Sequence, residues 1–135
     1  MHKTILVLLS LFWEQPQSLL GALLYLLTRL WKAPSRAYHR HVVTNTSFGV
    51  SLGLFVFSPD SPYILRHELG HGRQSSILGP LYLLLVGIPS FARSGLSLAR
   101  QLWGRENVNR SEDWYYKGYP EAWADRLGNR IKGLE

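Results

Sequence analysis

Apolar residues are gathered into two blocks, 5–31 and 77–102, and this clustering constrains the fold more than any other feature of the chain. The hydrophobic share of the whole sequence is 46%, ordinary for a globular domain, so the constraint lies in where these residues fall. The first block is interrupted at Glu14-Gln15-Pro16-Gln17. Pro16 removes a backbone donor there, so the block reads as one kinked apolar helix or as a helix pair. Taken whole it is long enough to span a bilayer, which needs about 20 residues; 19–30 alone is too short. Arg29, Lys32, Arg36 and Arg40, with His39 and His41, follow directly, as the positive flank of a membrane segment would. The second block contains Gly87 and Pro89 and reads as an apolar hairpin over 80–102, folded back within the membrane. The N-terminal run has no small-x-small cleavage site, so a retained anchor is expected rather than a signal peptide. Glu14 is then an ionisable group near the membrane, a functional candidate whose plainer role is to sit at the interface or cap the second helix.

Between the blocks the period changes. Phe48, Val50, Leu52, Leu54 and Val56 alternate with smaller or outward residues, a strand pattern. Asn45-Thr46-Ser47 offers a turn, so a short β-hairpin near 41–57 is expected. Ser61 is a good N-cap and Pro62 suits the first helical position; the helix that follows, 62–78, stops at Gly79-Pro80. The polar stretch 104–117 reads as a surface loop. A C-terminal helix, 120–132, carries Trp123, Leu127, Ile131 and, just beyond it, Leu134 three or four apart. Asn45 and Asn109 begin glycosylation-type triplets, a pattern too short to carry weight alone. With 135 residues, a single domain over 1–135 is expected. The fold class read from these patterns is a mainly α (α+β) integral membrane protein.

The chain has no cysteine, which excludes disulfides and thiolate metal sites. Any metal must be held by histidine and carboxylate. A net charge of +6 raises the question of nucleic acid, but no nucleic-acid motif accompanies it, and none is expected as a partner.

The chemistry is concentrated in His67-Glu68-Leu69-Gly70-His71. Residues four apart on a helix lie nearly above one another, so His67 and His71 present two imidazoles to one ion. Glu68 projects beside them, placed to hold a water without being a ligand. The bland alternative is two surface histidines beside a glutamate. A catalytic zinc has three protein ligands and one open position. Glu106, Glu112, Glu121 and Glu135 lie downstream, and only Glu121 has an acid four residues on, Asp125. Both fall on one face of the last helix. Glu121 can complete the metal shell, and Asp125 can accept the outer N–H of a ligating histidine.

With these two motifs on separate helices, the chain resembles the gluzincin metallopeptidases, which carry His-Glu-x-x-His on one helix and Glu-x-x-x-Asp on a later one. It looks most like their membrane-embedded branch, the CAAX prenyl protease and HtpX-type heat-shock peptidases. The likeness covers 61–78 and 119–128; the stretch 67–90 also looks like that of small bacterial membrane proteins. The chain is far shorter than those peptidases and lacks an obvious substrate-binding subdomain. The resemblance implies a zinc ion on His67, His71 and Glu121, a general base at Glu68, and Asp125 as the partner of His67.

The function expected on these grounds is zinc-dependent hydrolysis of a peptide or protein substrate. The substrate would lie as an added strand along 48–57. Tyr115, Tyr116, Tyr119 and Arg126 are candidates for stabilising the oxyanion, with Tyr119 the first choice. The alternative, from another class, is a non-catalytic membrane scaffold whose zinc is structural, with His39 or His41 as a fourth ligand. The expected surroundings are a lipid bilayer, the bacterial inner membrane, with the site near its cytoplasmic face.

Overall fold

The Ser61 hydroxyl accepts from the Ile64 amide and Pro62 opens the first turn, so the central helix starts where its cap dictates. A computed structural model describes residues 2–104 and 114–131. In chain order it contains helices α1 (His2–Trp13) and α2 (Gln17–Leu30), strands β1 (Ser35–Tyr38), β2 (His41–Asn45), β3 (Val50–Leu52) and β4 (Phe55–Ser58), and the capped helix α3 (Pro62–Leu78). A 3-10 turn (Gly79–Leu81) and a π-helical turn (Leu83–Gly87) lead into α4 (Ile88–Leu102), and α5 (Glu121–Gly128) closes the described chain.

The strands form one sheet in the order β1-β2-β4-β3, with β2 parallel to β4 and the other pairs antiparallel. This corrects the expected hairpin near 41–57. His41–Asn45 pairs back onto β1, which the basic residues had concealed, and 48–57 is two strands rather than one. Gly53 makes the turn between them at a φ of +63°, a conformation that suits glycine, and Leu54 N donates to Ser18 Oγ on α2. After β2 the chain crosses to the sheet edge, returns as β3, and β4 fills the gap.

The apolar core is small. Val43 and Val56 from the sheet meet Leu65 and Leu69 from α3, with Tyr38 and Ile131 against them. Much of the rest of the interior is polar, because α3 is buried nearly all round and presents His67, Glu68, His71, Gln74 and Ser75 to its neighbours. Buried polar groups need partners, and these partners fix the packing. Gln17 on α2 donates to Ser75 Oγ (3.0 Å) and to the Gly79 carbonyl (2.8 Å), and Trp13 Nε1 donates to the Ser76 carbonyl.

The expectation of an integral membrane protein is overturned. No helix among the described residues is long and apolar enough to cross a membrane. The break at Glu14–Pro16 leaves helices of 12 and 14 residues, about 18 and 21 Å at 1.5 Å per residue, against a hydrocarbon core of about 30 Å. The 80–102 segment is no hairpin either: its turns run on into α4, which carries Arg93 and Arg100. The placement in a bacterial inner membrane, with the site at its cytoplasmic face, falls with the spans on which it rested. Large apolar side chains are exposed along α1, α2 and α4, Phe12 and Phe91 among them. Glu14 belongs to the scaffold: it is fully buried and paired with Arg40, whose guanidinium also donates to the Gly72 carbonyl at 3.0 Å.

His41 is buried beside this pair, with its Nε2 against Gly72 and without a hydrogen-bond partner. Burial, reinforced by Arg40, His39 and Arg73, lowers its pKa from 6.5 to about 3. A folded-state pKa below the unfolded value means that its contribution is complete above about pH 6.5 and is lost as the pH falls towards 3. The unfolding free energy read from urea titrations should therefore fall further with acid in the parent protein than in His41→Gln, by about 3 kcal/mol between pH 7 and pH 4. Equal slopes would show that His41 is not held neutral by the fold.

Candidate metal centre

Two helices build the site, and glycine lets them approach. α3 and α5 cross where a Cβ at Gly70 would overlap the Ala124 carbonyl, and one at Gly128 would overlap the Arg66 carbonyl. At that separation the short Glu121 side chain reaches both histidines of α3. Glu121 Oε2 lies 2.9 Å from His67 Nε2 and 2.8 Å from His71 Nε2, and the two Nε2 atoms are 3.2 Å apart. All three residues are buried.

The outer nitrogens fix the tautomers. His67 Nδ1 donates to Asp125 Oδ1 at 2.6 Å, one turn beyond Glu121 on the same face. His71 Nδ1 faces Gln74 Oε1 at 2.7 Å. Gln74 has its Nε2 on the Pro120 carbonyl at 3.0 Å; a carbonyl only accepts, so that end of the amide is the donor and the end facing His71 is the acceptor. Both imidazoles thus carry a proton on Nδ1 and, when neutral, turn a lone pair on Nε2 towards the Glu121 carboxylate. Gln74, three residues on from His71 along the same helical face, was not singled out in the sequence.

Two nitrogen lone pairs and a carboxylate oxygen repel one another unless a cation sits among them. Ligands about 2.0–2.1 Å from a tetrahedral ion lie about 3.3 Å apart, close to the spacing here. Glu68 Oε2 is buried without a hydrogen-bond partner among the described residues, as a group facing an ion or its water would be. The donor set of two imidazoles and one carboxylate is that of a divalent transition ion. His67, His71 and Glu121 form a group that could hold a metal ion. With protons alone, burial opposes the charge on His67, but hydrogen bonds to Asp125 and Glu121 and the Glu68 charge raise its pKa to about 9. Burial would raise the Glu121 carboxyl, yet the bonds from His67 and His71 hold it well below the carboxylate range.

No protein family, curated protein or solved structure matches the chain. The site must be read from its own atoms.

Glu68 sits beside these three residues and lines a cleft of about 500 Å3 with His71, Tyr82 and Tyr115. Its Oε1 packs on Gly49, where a Cβ would come within 2.6 Å. Burial raises the Glu68 carboxyl, against the pull of His71 and His67. Of the oxyanion candidates, Tyr115 lines the cleft, and burial followed by the Glu121 charge raises its phenol. Arg93 holds it there: Nε donates to the Tyr115 carbonyl, Nη2 donates to the Trp114 carbonyl, and the guanidinium stacks on the Trp114 ring at 3.9 Å. Tyr119, the first choice from sequence, is exposed and donates to the Leu85 carbonyl instead. Tyr116 packs edge-on against the His67 ring. His39 and His41 do not join the metal group; His39 lies edge-on to Tyr38. Glu106, Glu112, Glu135 and the Asn109 triplet lie outside the described residues, as do 105–113 of the expected surface loop; its last part, 114–117, is helical instead, and α5 stops at Gly128 where a helix over 120–132 was expected.

The expectation that substrate pairs along all of 48–57 is also revised. β4 is an interior strand, so within this stretch only β3 lies at a sheet edge, and the Ser51 carbonyl on that edge is taken by the Tyr82 hydroxyl at 3.0 Å.

Proposed function

We propose that the protein is a zinc-dependent peptidase. The observation that carries this reading is Glu68: a buried carboxylate with one oxygen unpartnered, beside three candidate ligands and open to a cleft. A structural ion needs no such group and is normally closed by four protein ligands, whereas among the described residues the cluster has three.

An ion bound by His67, His71 and Glu121 would polarise a substrate carbonyl and make water more acidic. Glu68 is the proton carrier. Its carboxylate, buried beside the three residues and open to the cleft, is the group placed to accept and return a proton. It removes a proton from water as the hydroxyl adds to the carbonyl carbon, then passes that proton to the amide nitrogen as the C–N bond breaks. The missing side chain at Gly49 leaves room for the Glu68 carboxylate. Tyr115 remains a neutral donor across the physiological range and is placed to hydrogen-bond the developing oxyanion. Asp125 and Gln74 hold the two Nδ1 protons, so neither imidazole can turn over.

The test is hydrolysis in heavy-oxygen water. Incubated with one equivalent of zinc and an unstructured peptide, the protein should release fragments whose new carboxyl termini carry one solvent oxygen. A chelator should stop the reaction and zinc restore it. Fragments that form equally well with the chelator present would overturn the reading.

A further inference from the structure

The cleft beside the metal group has a mixed lining. Glu68, His71 and Tyr115 contribute polar groups from the site. Leu52 at the sheet edge and Leu83, Gly87, Ile88 and Phe91 from the π-helical turn and the start of α4 contribute apolar surface, with Ser90 and Ser94 on the same helix. Among the described residues no lysine or arginine lines the cleft. A π-helical turn widens the helix by one residue per loop and is common at functional sites. Here it sets Leu83 and Gly87 together along the cleft. A Cβ at Gly87 would meet only the Leu83 side chain inside 3.4 Å, at 3.2 Å from its Cδ2, so the missing side chain leaves room rather than relieving a backbone clash. The Tyr82–Ser51 bond ties this turn to the strand and removes a carbonyl that an incoming peptide would otherwise use. With the backbone edge shortened, selection must come from a side chain.

We propose that the cleft selects its peptide by one large apolar side chain, seated between Leu52, Leu83, Ile88 and Phe91 over the bare backbone of Gly87. The inference rests on the peptidase reading for the identity of the ligand as a peptide. A leucine or phenylalanine side chain buries its surface there, and an aspartate in that seat would lose its hydration with no lysine or arginine among the described lining residues to pair with it. Gly87 is the specificity-determining position, because any side chain there occupies the seat.

Binding tests this separately from catalysis. The probes are fluorescein-labelled heptapeptides of glycine with a single central Leu, Phe, Ala or Asp, titrated into zinc-loaded Glu68→Gln protein and followed by anisotropy. The Leu and Phe peptides should bind at least about tenfold more tightly than the Ala peptide, with Asp weakest. Gly87→Val in the same background should bring Leu, Phe and Ala to within about twofold. Equal binding of all four probes, or an unchanged preference in a folded Gly87→Val protein, would overturn the proposal. If Gly87→Val does not fold, Leu83→Ala replaces it: widening the seat should shift the preference several-fold towards Phe, and an unchanged Phe-to-Leu ratio would overturn it. A binding preference in Glu68→Gln, with none of these peptides hydrolysed by the zinc-loaded parent protein, keeps the inference and removes the peptidase reading. Hydrolysis of all four at one rate does the opposite.

Discussion

Glu68→Gln should retain its metal ion and lose hydrolysis, with kcat down by about 10²–10⁴-fold. The substitution keeps the shape of the side chain and its contact with Gly49, but an amide cannot take a proton from water. Because Glu68 is not among the three converging residues, ion content measured by elemental analysis should stay at that of the parent. The two readouts together make the prediction sharp. Loss of both ion and activity would mean that Glu68 is a ligand, and unchanged activity would remove it from the chemistry.

Gly70→Ala should be destabilising, against the general trend for helices. In a helix interior, alanine is favoured over glycine by about 0.5–1 kcal/mol. At Gly70 the added methyl would run into the Ala124 carbonyl, so α5 must back away from α3. Overpacking of this kind costs about 1–3 kcal/mol, and it also draws Glu121 and Asp125 off the histidines. The expected result is a lower urea midpoint together with at least about tenfold weaker zinc binding. Gly95 in α4, which has nothing within 4 Å of a built Cβ, is the matched control: Gly95→Ala should be neutral or stabilising and leave zinc binding alone. If both variants gain stability, the two helices do not meet as described.

Where the sequence was legible, a local rule governed the outcome. Ser61 and Pro62 start α3 and Gly79 ends it, and the i, i+4 spacing puts both imidazoles on one side. The carboxylate of Glu121 was found by the same helical arithmetic, four residues before Asp125. What the sequence concealed depends on distant partners. The break near Pro16 was legible, but the choice between one kinked span and a helix pair was not, because it depends on a distant partner: Glu14 is buried against Arg40, which lies on the turn between β1 and β2. Arg40 looked like part of a basic flank, yet its neighbours in β1 and β2 are hydrogen-bonded strands too short to show a period. Gln74 and Arg93 act through backbone carbonyls of chain 20 to 50 residues away, and no spacing in the sequence encodes that. Tyr115 and Tyr119 differ by one helical turn in sequence and by their whole environment in the fold.

Calorimetric titration of zinc into chelator-stripped protein tests the central claim most directly, in the parent chain and in Glu121→Ala. One saturable site per chain, weakened at least about 100-fold by the substitution, is the predicted result. An absence of saturable binding in the parent, or equal affinity in both proteins, would contradict it.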